Sequence, residues 1–130
     1  MDLPPKYLAG LTPAQRLLQQ RMIRKSRSEY ERTGKVEERP RVSGAKTPRS
    51  SWAKKFEAKH GFPITDLSKV KAAYPEADVD AILRKGRAAY ASSGSRPNVS
   101  SYQWAYARLA SALLGGPAAK VDKNELSADN

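Results

Sequence analysis

Thr12-Pro13-Ala14-Gln15-Arg16-Leu17-Leu18-Gln19-Gln20-Arg21-Met22-Ile23-Arg24-Lys25-Ser26-Arg27, running on to Thr33-Gly34, is the stretch whose reading decides the fold class of this chain. Thr12 has a hydroxyl that can accept from the first free amides of a helix. Pro13 has a fixed φ suited to the first helical position, and Gln15 stands where it can reach back to complete a capping box. Gly34 supplies the left-handed residue that ends a helix, so the spacing predicts one helix to about Thr33. Ala14, Leu17, Leu18, Met22 and Ile23 recur at helical spacing as an apolar stripe, while Arg16, Arg21, Arg24, Lys25 and Arg27 fill much of the rest. The helix is therefore amphipathic and basic. It reads either as a helix docked by its leucines with a solvated cationic face, or as one that grips an acidic partner.

Beyond Gly34 the pattern changes. Residues 35–50 contain two prolines and five basic residues, with almost nothing apolar except Val36 and Val42, so they read as an extended arm that gains order more easily on a partner than alone. Ser50 or Ser51 can cap a second helix carrying Trp52 and Phe56 on one face as core residues, with His60-Gly61 closing it. Asp66 starts a short helix over Leu67–Ala73, and Pro75 interrupts it. Glu76 to about Ala91 forms the next helix, with Val79, Ile82, Leu83 and Tyr90 as its buried side and Gly86 as a weak point within it. Residues 92–98, Ser-Ser-Gly-Ser-Arg-Pro-Asn, are a dense cluster of turn formers. A helix from about Ser101 to Leu114 follows, with Trp104, Leu109, Leu113 and Leu114 apolar and Gly115-Gly116-Pro117 ending it. Asp122 is placed to cap a last short turn. Neither strand alternation nor an internal repeat is evident. The fold class expected is mainly α: a small helical domain of about four helices with an extended, basic N-terminal arm and a polar C-terminal tail. Residues 1–50 would form the basic helix and arm, 51–123 the compact domain, and 124–130 the tail.

Composition narrows the function classes. The 130 residues hold 24 Lys and Arg against 13 Asp and Glu, a net charge of +11, and a field of that sign attracts nucleic acid, acidic protein surfaces or anionic lipid. Residues 1–50 hold twelve of the basic side chains and five of the acidic, so the first fifty residues are the more cationic part. Cysteine is absent, which removes disulfides, thiolate metal sites and cysteine nucleophiles and fits a reducing compartment. No apolar run approaches a membrane span, and Met1-Asp2-Leu3-Pro4-Pro5 does not read as a signal peptide; the expectation is a soluble protein made in the cytosol.

Chemistry-bearing constellations are scarce. His60 is the single histidine and reads as a partner for the carbonyl end of its helix rather than a catalyst. The acids show no metal-ligand spacing, Asp78 and Asp80 point to different helix faces, and no phosphate-binding fingerprint is present. The expectation is a protein that is not an enzyme, takes no cofactor or metal, and has no small-molecule substrate. Around Gly94 and Arg96 the loop could cradle a phosphate or carboxylate, with Arg87 and Arg108 joining if the flanking helices fold back; its blander reading is a helix cap and turn with Arg96 on backbone carbonyls. Six tyrosines suit an interface at least as well as base stacking. The side chains expected to meet a partner are Arg16, Arg24, Lys25, Arg27, Arg39, Arg41, Arg96, Trp104 and Arg108.

Tyr90-Ala91-Ser92-Ser93-Gly94-Ser95-Arg96-Pro97-Asn98, then Ser101-Tyr102-Gln103-Trp104-Ala105-Tyr106-Ala107-Arg108-Leu109-Ala110-Ser111, then Gly115-Gly116-Pro117-Ala118-Ala119-Lys120-Val121-Asp122-Lys123 carry a resemblance. So do Tyr7-Leu8-Ala9-Gly10-Leu11-Thr12, Arg39-Pro40-Arg41-Val42-Ser43 and Ser50-Ser51-Trp52. Together they resemble a family of small basic proteins, without an assigned activity, encoded by large double-stranded DNA viruses, including those of algae and amoebae. The likeness covers roughly residues 7–123. It implies a viral origin and, for a basic helical protein with extended segments, a minor capsid (cement) component made in the host cytoplasm. Such a component would bridge major capsid proteins, and other minor ones, on the inner face of an icosahedral shell. The alternative is a DNA-binding or genome-condensing protein that sets its basic N-terminal half on phosphates.

Overall fold

A computed structural model describes residues 3–44 and 49–126. It is mainly helical, and no strand is present among the described residues. A 3-10 turn at Pro5–Tyr7 precedes α1 (Pro13–Thr33), α2 (Ser51–His60), α3 (Leu67–Ala73), α4 (Val79–Ser93), α5 (Ser101–Leu113), α6 (Pro117–Val121) and α7 (Lys123–Leu126). Four of these have ten residues or more; α3, α6 and α7 are short, and they raise the described number to seven where about four were expected. Residues 124–126 lie within α7 rather than in a tail, and 127–130 fall outside the described residues.

Local chemistry sets the helix ends. Thr12 Oγ1 accepts from the Gln15 amide at 3.2 Å, while the Thr12 amide donates to Gln15 Oε1 at 3.0 Å; Gly34 ends the helix at φ 71°. Ser100 and Gln103 make a second such box at the start of α5 (2.8 and 3.1 Å). Asp78 stands just before α4 rather than inside it. Its Oδ1 accepts from the Ala81 amide at 3.0 Å, which places the start of the helix at Val79 and not at Glu76.

The described residues form two units. One draws on residues 3–44 and 87–104, the other on 49–86 and 105–126, so residues 87–104 group with the N-terminal segment. In the second unit Phe56, Ile64, Val70, Val79, Ile82 and Leu109 are fully or almost fully buried as one apolar cluster. Burial of each such side chain stabilises by about 1.5–3 kcal/mol. Gly86 explains itself there: a Cβ on it would stand 2.7 Å from Ala105 Cα, so only glycine allows α4 and α5 to come this close. His60 belongs to the same unit, with its Nε2 2.8 Å from the Tyr74 hydroxyl and its ring packed on Phe56 and Phe62.

The first unit is centred on different residues. Tyr7, Leu11, Ile23, Val42, Tyr90 and Ala91 are buried, but so are Gln19, Ser95 and Ser101. Gly94, at φ 106°, lies where a Cβ would meet Ile23 and Tyr7 at 3.1–3.2 Å.

Candidate partner-binding surface

Which face of α1 is covered follows from hydrogen bonding more than from hydropathy. Its fully covered residues are Gln19 and Ile23, and Ser26 and Tyr30 on the same side are half-buried. Gln19 Nε2 donates to the Ser95 carbonyl at 3.3 Å, Ser26 Oγ to the Ala91 carbonyl at 3.0 Å, and Arg27 Nε to the Ser92 carbonyl at 2.7 Å. These contacts fasten α1 to the end of α4 and the loop after it. The leucines that dock the helix in one of its two readings therefore face outward: Leu17 and Leu18 keep 60% and 43% of their surface exposed. That reading fails because the carbonyls at the end of α4 need donors, and Gln19, Ser26 and Arg27 supply them.

The segment after α1 lies on its own unit. Arg39 sends its guanidinium inward, 3.8 Å from the centre of the Tyr90 ring. One terminal nitrogen donates to Ser26 Oγ (2.9 Å) and the Tyr90 carbonyl (2.7 Å), and the other donates to Ser95 Oγ (2.7 Å). The Arg39 amide donates to the Tyr90 hydroxyl at 2.7 Å. Burial pulls the Arg39 pKa down and pushes the Tyr90 phenol up, as expected for groups taken out of water. Next to it Glu38 receives the Ser101 amide (2.6 Å) on one carboxylate oxygen and the Ser101 hydroxyl on the other, placing an anion at the start of α5. The Val42 amide donates to Asn98 Oδ1 at 2.9 Å, and Asn98 Nδ2 to Ser43 Oγ at 2.9 Å. Up to residue 44 the arm thus finds its order within the chain; residues 45–48 lie outside the described residues.

The residues expected to meet a partner consequently divide. Arg16, Arg24 and Lys25 are exposed along α1, Arg41 is exposed on the arm, and Arg96 is exposed on the loop, where its charge acts on the Tyr7 hydroxyl. Arg39 and Arg108 are only partly exposed, and their guanidinium groups bond within the chain. Arg108 makes a forked pair with Asp122 (2.8 and 2.6 Å) in the second unit, and the fully buried carboxylate raises its pKa. Arg27 is tied to Ser92, and Trp104 stands edge-on to Tyr7 at 5.8 Å, half-buried. The loop 92–98 seats Arg39, not Arg96, and its Gly94 amide donates to the Ala89 carbonyl at 3.3 Å. Arg87 stacks on Tyr102 at 4.3 Å and donates to Ser101 Oγ.

Arg21 and Arg32, left out of the expected set, are exposed on the same side of α1 as Leu17, Leu18, Arg24 and Lys25. Positions 17, 18, 21, 24, 25, 28 and 32 follow one another at three- and four-residue steps, opposite the Gln19–Ile23 side. The signal that could have found this stripe was the competing polar register Gln15, Gln19, Ser26, Tyr30.

The chain belongs to a family of unknown function, DUF5824, whose model matches residues 4–129. No curated protein and no solved structure matches it. Among the described residues no group of His, Asp and Glu could hold a metal ion, and no helix is long and apolar enough to cross a membrane.

Proposed function

We propose that this protein is a non-enzymatic binding protein of a large double-stranded DNA virus: a minor capsid component that joins capsid proteins on the inner face of the shell. One observation carries the binding role. Cations needed by the fold are buried or paired inside it, whereas Arg16, Arg21, Arg24, Lys25 and Arg32 line exposed positions of one 21-residue helix. The net charge of +11 supports an acidic counterpart. The viral setting is supported by the family resemblance over residues 7–123. In this role α1, fastened within its own unit by Gln19, Ser26 and Arg27, is the attachment element.

Quantitative mass spectrometry of purified particles, before and after mild disruption that separates shell from nucleoprotein, tests the proposal. The protein should follow the shell at fixed stoichiometry. Absence from particles, or partition with the DNA, sinks it.

The cationic stripe also favours a second reading, in which the same helix lies on DNA phosphates. Arg21, Arg24 and Lys25 changed together to Ala should then abolish binding to duplex DNA, and wild-type binding should fall steeply with salt. Arg27 is kept out of that set because its loss would also remove the bond to Ser92.

A further inference from the structure

We propose that the outward stripe of α1 formed by Leu17, Leu18, Arg21, Arg24 and Lys25 docks a protein surface that offers an apolar pocket followed by carboxylates. The inference rests on the binding role proposed above and names the chemistry of the partner. A single exposed leucine is ordinary on any protein. Here two adjacent ones, 60% and 43% exposed, open a stripe whose next two turns carry only cations and a serine at its outward positions. At 1.5 Å per residue, Arg21 lies about 6 Å and Lys25 about 12 Å along the helix from Leu17, so the partner's carboxylates should follow its apolar contact at that spacing.

Charge and pattern decide among the occupants. A second copy of the chain would set Arg21, Arg24 and Lys25 against their own kind on a protein of net charge +11, which like-charge repulsion opposes. DNA would satisfy the cations but offers phosphates where the leucines need an apolar surface. In a helix lying in a lipid interface, apolar and cationic residues occupy opposite faces; here they succeed one another on one face. An acidic protein surface with an apolar pocket satisfies both halves of the stripe.

The test uses the full chain and fluorescence anisotropy with three labelled probes. They are a helical peptide carrying leucines on one turn and glutamates on the next two turns of the same face, a scrambled peptide of identical composition, and a short duplex DNA. Wild-type protein should bind the patterned peptide at least about tenfold more tightly than the scrambled one, since burial of one leucine alone supplies that factor. Leu17→Ser with Leu18→Ser should abolish the preference and leave DNA binding unchanged. Arg21→Glu, Arg24→Glu and Lys25→Glu together should remove binding to all three. Equal affinity of the wild type for both peptides, including none measurable for either, overturns the inference without needing any variant to fold. A preference that survives in the leucine variant overturns it as well. A protein found in the shell that shows no preference keeps the function and removes this surface; one that shows the preference but is absent from particles does the reverse.

Discussion

Arg39 gathers the polar contacts of one unit and Phe56 the apolar contacts of the other, and the two positions carry opposite chemistry. Around Arg39 the contacts are directional: three hydrogen bonds from its guanidinium, a stacked ring, and Glu38 receiving both polar groups of Ser101. Around Phe56 they are non-directional: Ile64, Val70, Ile82, Leu109 and the His60, Phe62 and Tyr74 rings close an apolar cluster. Directional contacts fix one geometry and fail when one partner is lost, because the others stay buried without hydrogen bonds. An apolar cluster loses only what is cut away, plus the cavity left behind. The unit holding α1 therefore depends more on particular hydrogen-bond partners than the other does.

Truncating Phe56 to Ala should have the largest effect, about 3–5 kcal/mol by urea denaturation. Residue-resolved hydrogen exchange should show the loss of protection within residues 53–70 and 105–113. Arg39→Met comes next. It roughly fills the space but leaves Ser26 Oγ, Ser95 Oγ and the Tyr90 carbonyl without their donor, at a cost of about 2–3 kcal/mol, with protection lost at residues 19–27 and 90–98. Arg39→Lys should recover less than half, since an ammonium has neither the fork nor the flat face that meets Tyr90. A cost below about 1 kcal/mol for Arg39→Met would show that the first unit does not depend on its polar centre.

Glycines sharpen the same contrast at smaller scale. Gly94→Ala should cost about 1–3 kcal/mol in the first unit, where φ 106° and the contacts to Ile23 and Tyr7 both oppose a side chain. Unfolding curves of this variant should shift without a change of slope.

How far the sequence reveals this molecule follows from the same difference. Helix ends written in local chemistry, such as Thr12 with Gln15, Gly34 and Gly61, lie where capping rules put them. Phe56, Val79, Ile82 and Leu109 are also core residues, because apolar spacing on a helix reports burial when the neighbours are apolar. The outward turn of Leu17 and Leu18 was not legible: it depends on Gln19 and Ser26 meeting carbonyls more than sixty residues away. Arg39 likewise reads as a surface cation until the Tyr90 ring and two serines gather around it. Among the residues expected to meet a partner, the α1 cations Arg16, Arg24 and Lys25 are exposed, whereas the guanidinium groups of Arg39 and Arg108 bond within the chain, because a sequence does not show which cation will be drawn inward.

The smallest effect expected lies at the C-terminal end of the second unit. There the Lys85 ammonium binds Glu125 Oε1 at 2.8 Å and stands 3.5 Å from Asp122, the carboxylate that Arg108 holds. The Asp78 amide donates to the Glu125 carbonyl at 2.6 Å, so the pair helps to hold α7 beside the start of α4. The bond to Lys85 holds the Glu125 carboxyl below its ordinary value of 4.5, and the same bond raises Lys85 above 10.5. A carboxyl lowered in the folded state stabilises above its unfolded value and loses that contribution as pH falls through the folded one. A raised ammonium stabilises below its unfolded value and loses the contribution as pH rises through the folded one. The contact should accordingly hold between about pH 4.5 and 10.5 and loosen outside that window. Amide chemical shifts of residues 117–126, followed by NMR from pH 7 down to 3, should move together in the wild type. Glu125→Gln should remove most of that movement; if it leaves the titration unaltered, the acid response does not come from Glu125, and its bond to Lys85 contributes nothing to holding α7.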